Sequence, residues 1–281
     1  AFHCENHDIV EYCRRTCVET GHTGPIYHAK SRPNLAESEA VARVLSLARL
    51  AGDAPVYIVH LSCKESLEAV RDARRKGQKN IFVETCPQYL TLTEEKYLEP
   101  DGLKYVMSPP LRTARDCEAL WEGLARGDIQ VVGTDHCPFN FHKEKQLGKD
   151  DFTKCPNGAP GVEERVPLLF SEGVLKNRIS VNRFVETVCA NPARIYGLYP
   201  QKGILQPGAD GDLVILDPAA EWTITHDKMH SAVDYTAYEG MAVKGKIDLV
   251  MQRGRVVAEN GAFTGERGAG RFIHRKCYGA E

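Results

Sequence analysis

Three residues of this chain share one local setting. His3 follows Phe2 and precedes Cys4-Glu5-Asn6, His60 closes the apolar run at 56–59, and Asp135 closes the run at 131–134. In each case a buried strand is expected to stop and a loop to begin. Imidazole nitrogen and carboxylate oxygen are ordinary ligands for zinc and similar divalent ions. An ion held there polarises a carbonyl and lowers the pKa of a bound water. An aspartate beside it takes the water's proton and passes it to a leaving nitrogen. Plainer readings stand alongside. A strand-end histidine is commonly a hydrogen-bonded structural residue, and Asp135 can cap the next turn. Other histidines, among them His7, His22 and His28, dilute the pattern.

Two stiff loop segments add a second function. Ser108-Pro109-Pro110-Leu111-Arg112 and Pro156-Asn157-Gly158-Ala159-Pro160-Gly161 can present backbone N–H and C=O groups to a planar amide or imide. Both are equally good turn chemistry.

The elements that must position these residues alternate. Helical spacing predicts helices over 8–20 (Ile9, Cys13, Cys17) and 34–51 (Val41, Val44, Leu45, Ala48), then over 62–76 and 113–127. Asn34 and Ser62, each followed three residues later by Glu, read as capping boxes. The runs at 55–60, 81–85 and 129–135 are short and apolar, as in fully buried parallel strands. Longer loops fill 86–112 and 136–161, and helices are expected over 162–174 and 181–190. Asn191-Pro192 then starts a helical turn, with Asn as its cap. After Gly197 the texture changes. A turn-rich stretch at 203–212 leads to a strand at 213–216, and a hairpin is expected over 247–258 around Arg253-Gly254.

Strand–helix alternation predicts an α/β fold with a parallel sheet. Strand ends that carry His60 and Asp135 suit a (β/α) barrel, whose active sites lie at that face. The strands before the tail are too few for closure, even with Phe2-His3 as the remnant of another. Either the sheet is open or the chain is part of a larger barrel.

Composition narrows the function classes. The 281 residues carry a net charge of −2 and are 42% hydrophobic, an ordinary soluble profile that gives no reason to expect a nucleic-acid or membrane partner. Ten cysteines without any Cys-x-x-Cys pair read as reduced, mostly buried thiols of a cytoplasmic protein.

The segments HCENHDIV, VYIVHLS, ETCPQYL, MSPPLR, GTDHCPFN, LGKDDFTKCPNGAPGVEER and NPARIYGLYPQKG resemble the hydantoinase and dihydropyrimidinase family of cyclic amidohydrolases. The resemblance runs along essentially the whole chain and is most specific over 133–165. It implies the C-terminal half of a (β/α)8 TIM barrel over 1–200 and a β-rich, sandwich-type segment over 201–281. His3 and His60 match two histidines of a binuclear zinc centre, and Asp135 matches its aspartate ligand and proton shuttle. Ser108 and Asn157 match positions whose backbone groups hold the substrate's ring amide. The implied reaction is hydrolytic opening of a hydantoin or dihydropyrimidine to an N-carbamoyl amino acid, by an enzyme that is commonly a homotetramer.

The family's His-x-His pair, its metal-bridging carboxylated lysine and its oxyanion-stabilising tyrosine have no counterpart here. The chain is therefore expected to enter the barrel at its fifth strand, to hold half of the ligand set, and to be inactive alone. Allantoinase and dihydroorotase are alternatives within the enzyme class. The non-enzymatic dihydropyrimidinase-related proteins of cytoskeletal signalling are an alternative outside it, although they lack the metal ligands retained here.

Overall fold

The computed structural model describes residues 1–277. They group into two compact units: Ala1–Arg165 with Ile224–Met241, and Val166–Thr223 with the chain from Ala242 onward. These limits are those of packing, whereas the division at 200 rests on sequence texture and resemblance. No helix among the described residues is long and apolar enough to cross a membrane.

The first unit is built on alternating helices and strands: α1 (His7–Glu19), α2 (Ile26–Lys30), α3 (Asn34–Leu50), β1 (Val56–Ile58), α4 (Lys64–Arg75), β2 (Ile81–Thr85), α5 (Pro87–Thr91), α6 (Ala114–Arg126) and β3 (Val131–Val132). The strands are parallel in the order β1-β2-β3, with Val56 opposite Ile81 and Glu84 opposite Val131. Phe2 makes a parallel bridge to Ile58, so the chain start lies beside β1 as a strand-like element. Val41, Leu45, Ile58, Leu67, Val83 and Leu120 are buried, which places the core between the sheet and α3, α4 and α6. The strands are shorter than the apolar runs because their last residues already turn outward. His60 and Asp135 have φ of 39° and 50°.

Cap chemistry differs from expectation in three places. α4 starts after Cys63 with no side-chain cap, because Ser62 is taken by Glu37: its amide donates to Oε1 at 3.0 Å and its hydroxyl to Oε2. α3 starts on Asn34 itself, after Pro33, and the Asn34 amide donates to Asp116 and Glu65 instead. Asn191 lies inside a helical run that continues from Ala190, so it is not the N-cap residue. α6 has the reciprocal Thr113–Asp116 capping box and stops at Gly127, whose φ of 82° suits a left-handed cap. The expected loop at 86–112 contains α5 and two 3-10 turns, and that at 136–161 contains two more.

The segment Ile224–Met241 completes the first unit. Asp234 accepts the amides of Phe141 at 2.6 Å and His142 at 3.0 Å. Tyr235 donates to the Lys104 carbonyl at 3.0 Å, and Thr236 donates to Glu164 at 2.5 Å.

The second unit begins within α7 (Arg165–Leu169) and contains α8 (Val181–Val185), α9 (Asn191–Ile195) and an antiparallel sheet of β4 (Leu213–Thr223), β5 (Ala242–Gln252), β6 (Arg255–Glu259) and β7 (Ala262–Phe263), in the order β4-β5-β6-β7. The hairpin at Arg253-Gly254 forms as expected, with φ of 49° and 75°. β4 runs well past residue 216, because after a bulge at 217–221 it pairs again with β5. Residues 170–174 and 186–190 are π-helical continuations of α7 and α8.

All ten cysteines are free, but the expectation that most are buried needs correction. Cys4, Cys63, Cys86, Cys117 and Cys155 are buried, while Cys137, Cys189 and Cys277 are exposed. Cys137 and Cys277 lie outside regular secondary structure, and Cys189 lies on the π-helical stretch that follows α8.

Candidate active site

His60 stands at the carboxyl end of β1 in a conformation that is uncommon for a non-glycine residue. The chain on either side holds it there. Leu61 donates to the Glu84 carbonyl at 2.8 Å, its own carbonyl accepts from Thr85 Oγ1 at 2.8 Å, and Ser62 is locked to Glu37. His3 reaches the same point from the neighbouring bridge, and its Nδ1 lies 2.9 Å from His60 Nε2. Burial, then the His3 charge, pulls the pKa of His60 down, against the opposing pull of Asp135. His60 is thereby kept neutral, the form that ligates a metal.

Behind the two histidines runs a chain of buried charges. His3 Nε2 lies 3.0 Å from Glu5 Oε2, and Arg32 Nη1 lies 2.5 Å from the same carboxylate. Burial alone would raise the pKa of Glu5, but the His3 hydrogen bond and the Arg32 charge carry it below its usual value. Arg112 donates to the Arg32 carbonyl, to Ser62 Oγ at 3.0 Å and to Glu37 Oε2 at 3.1 Å. The Arg112 and Glu37 side chains are 5% and 2% exposed, so this pair is desolvated, and its mutual attraction is joined by the hydrogen bonds to Ser62 and the Arg32 carbonyl.

Asp135 stands at the end of β3 and, like His60, has positive φ. Two residues before it, Gly133 donates to the Thr85 carbonyl at 2.9 Å and packs against the Glu84 carboxylate. Tyr57 donates to Glu84 Oε2 at 2.7 Å. Burial raises the pKa of Glu84 and outweighs this hydrogen bond. A half-buried carboxyl thus lies beneath both strand ends. Strain at His60 and Asp135 together is the kind of backbone cost that persists at functional positions.

Ser108 and Asn157 are also brought together. Ser108 Oγ donates to Asn157 Oδ1 at 3.1 Å, and Gly158 N donates to the Val106 carbonyl at 3.0 Å. The second loop also docks on the residues after Asp135. His136 bridges to Ala159, Cys137 N donates to the Ala159 carbonyl at 3.2 Å, and Gly161 N donates to His136 Nδ1 at 3.2 Å. Three loops are thus laced together around the end of β3.

These residues fit a divalent ion. Two imidazole nitrogens face each other 2.9 Å apart, somewhat closer than the roughly 3.3 Å between two tetrahedral ligands whose bonds to one ion are about 2.0–2.1 Å. His60 Nδ1 is buried without a hydrogen-bond partner, so the imidazole is not a structural residue satisfied on both sides. Asp135 supplies an oxygen donor at the same sheet end, within electrostatic reach of His60. Among the described residues no group of three or more His, Cys, Asp or Glu side chains closes into a metal cage.

Sequence reasoning gave Glu5, Glu37, Arg112 and Lys145 no part in the site. Lys145 is fully buried, and its ammonium reaches the Val106 and Pro156 carbonyls. In the sequence it sits in a charge-rich stretch that reads as solvated surface. Glu5 could have been found from its place beside His3 at a strand end.

Comparison with known proteins adds an independent line. A model of the amidohydrolase family matches residues 1–257. D-phenylhydantoinase of Escherichia coli O1:K1 / APEC is 49% identical over 276 residues, which are 98% of this chain and 60% of that protein. The crystal structure of dihydropyrimidinase from Brevibacillus agri NCHU1002 superposes with a TM-score of 0.96 at 45% identity, covering 99% of this chain and 60% of that one. L-hydantoinase (dihydropyrimidinase) from Arthrobacter aurescens gives 0.91 at 36% identity, covering 97% and 60%. The chain thus spans about 60% of the length of the relatives it matches.

Proposed function

Because the chain belongs to the amidohydrolase family, in its hydantoinase and dihydropyrimidinase branch, we propose that the protein hydrolyses the cyclic amide bond of hydantoins or dihydropyrimidines to give N-carbamoyl amino acids. The observation that carries this reading is the meeting of His3 and His60 at 2.9 Å, at the sheet end where Asp135 also stands in a strained conformation.

In this reading His3, His60 and Asp135 are ligands of a zinc centre. Bound there, zinc would supply Lewis acidity and a water of lowered pKa. Asp135 takes the proton of the attacking water and hands it to the ring nitrogen as the C–N bond breaks. Glu5 orients the His3 ring by accepting from its far nitrogen, as a carboxylate behind a ligating histidine does. Backbone groups at Ser108 and Asn157 hold the ring amide, so that the carbonyl carbon faces the ligands.

We further assign 1–200 to half of a (β/α)8 barrel and 201–281, of which 278–281 lie outside the described residues, to a β-sandwich segment, in a cytoplasmic homotetramer. The parallel order β1-β2-β3 and the antiparallel tail support the two fold assignments. The identities to hydantoinases favour this reading over allantoinase, dihydroorotase or a non-enzymatic relative.

The test is made on the full-length gene product. Its zinc content is measured, and ring opening of hydantoin and of dihydrouracil is followed by the appearance of the N-carbamoyl product. Stoichiometric zinc with turnover of either ring is expected. A well-folded protein that holds no zinc and opens neither ring overturns the reading.

A further inference from the structure

Lys145 is 0% exposed, and a buried lysine ordinarily needs a carboxylate. Here both hydrogen bonds of its ammonium end on backbone carbonyls: Val106 at 2.7 Å and Pro156 at 2.8 Å. Val106 lies two residues before Ser108, and Pro156 immediately precedes Asn157. The ammonium also lies 5.7 Å from the centroid of the Phe139 ring, in the loop that follows Asp135. One side chain therefore touches all three loops around the candidate site. Burial lowers its pKa to about 8, with the thiols of Cys155 and Cys137 acting the other way. That shift reflects the cost of holding a cation where only dipoles compensate it.

We propose that Lys145 is a positioning residue for substrate, which fixes the spacing between the Ser108 and Asn157 loops and so sets their grip on the ring amide. The substrate part of this statement rests on the function proposed above. A lysine serves well here because its ammonium can donate to two carbonyls in different directions. Gly158 N donates to the Val106 carbonyl that Lys145 also holds, at 3.0 Å, so the two contacts act on the same pair of loops.

The experiment compares the full-length protein with Lys145→Met, which keeps the chain length and removes the donors, and with Lys145→Arg, which restores charged donors. Two quantities are read: amide hydrogen exchange, and KM and kcat for hydantoin. In Lys145→Met, exchange at Gly158 is expected to quicken at least about tenfold while that of Gln130, bonded to the Val83 carbonyl at 3.0 Å, stays unchanged. KM is expected to rise about tenfold or more, with a smaller loss of kcat, and Lys145→Arg to recover part of both. Should Lys145→Met not fold, Lys145→Gln, which keeps an amide donor, carries the same comparison. The proposal is overturned by unchanged exchange at Gly158, by exchange that quickens equally at Gln130, or by local loosening that leaves KM untouched. A wild-type protein that opens no ring removes the catalytic reading, and the exchange comparison then decides alone whether Lys145 couples the loops.

Discussion

The Nδ1 of His3 lies 2.9 Å from the Nε2 of His60, although the two residues are 57 positions apart in the chain. The rings meet edge to face, at 4.8 Å between centroids and 70° between planes. Both nitrogens cannot carry protons in that contact. The pair is arranged to share a proton or an ion, and the carboxylate of Glu5 stands 3.0 Å behind His3 to fix its orientation.

Glu5→Gln is accordingly expected to weaken metal binding by about 10- to 100-fold, the usual cost of losing the partner behind a ligating histidine. Zinc titration against a competing chelator measures this. Affinity equal to wild type would show that His3 needs no such support.

Asp135→Ala in the full-length protein is expected to abolish ring opening and leave the fold largely intact, since Asp135 is exposed and its loop is held by other residues. Turnover and far-ultraviolet circular dichroism are compared. Substantial residual activity would refute the proton-transfer role.

Glu37→Gln breaks a desolvated pair and leaves Arg112 charged and buried. A loss of about 3–5 kcal/mol is expected, read from the midpoint of urea unfolding. A change within about 0.5 kcal/mol, as at an ordinary surface site, would mean that water or another group neutralises Arg112.

His28 is fully buried, and its Nε2 lies 2.7 Å from the Met107 carbonyl. Burial, aided by the Arg32 charge, lowers its pKa from 6.5 to about 3. Between those values the unfolded chain binds a proton that the folded chain refuses. Stability is therefore full above pH 6.5 and falls as the pH drops, by about 1.4 kcal/mol per unit for this group. Over the range from pH 7 to 5, the stability advantage of wild type over His28→Gln should shrink by roughly 2 kcal/mol. An advantage that is constant with pH would place the His28 titration elsewhere.

Gly133→Ala would set a Cβ 2.5 Å from Cδ of Glu84, a carboxylate already held by Tyr57. Something must move, and Asp135 is two residues away. A stability loss of about 1–3 kcal/mol is expected, with a fall in kcat/KM of about tenfold or more. Wild-type behaviour in both measurements would show that Glu84 yields freely.

Much of this was legible in the sequence for a definite reason. A buried strand writes itself as an apolar run, and the residue that ends the run is the one at the sheet's edge. His3, His60 and Asp135 could be picked out that way before any coordinate was known. Ser108 and Asn157 could be suspected from loop stiffness, but their mutual contact depends on how two distant loops dock. Pairs such as Arg112 with Glu37 obey no period, so nothing local marks them. Glu37 was read as part of a cap for Asn34, and the structure uses it to hold Ser62 and Arg112. Lys145 was hidden by its own charge, because a lysine among charged neighbours reads as surface until the carbonyls that receive it are seen.

The return of Ile224–Met241 to the first unit also sets a timetable. The amide of Phe141 waits for a carboxylate 93 positions further along the chain. At ribosomal rates of about 5–20 residues per second, that interval is on the order of 5–20 s. The nascent chain therefore makes its strand-end histidines and Asp135 well before it can fasten the loop that follows them. Until Asp234 and Tyr235 emerge, that loop is open to proteases and chaperones. A message truncated between the two positions yields a product with every proposed ligand of this chain but no anchor for the loop after Asp135.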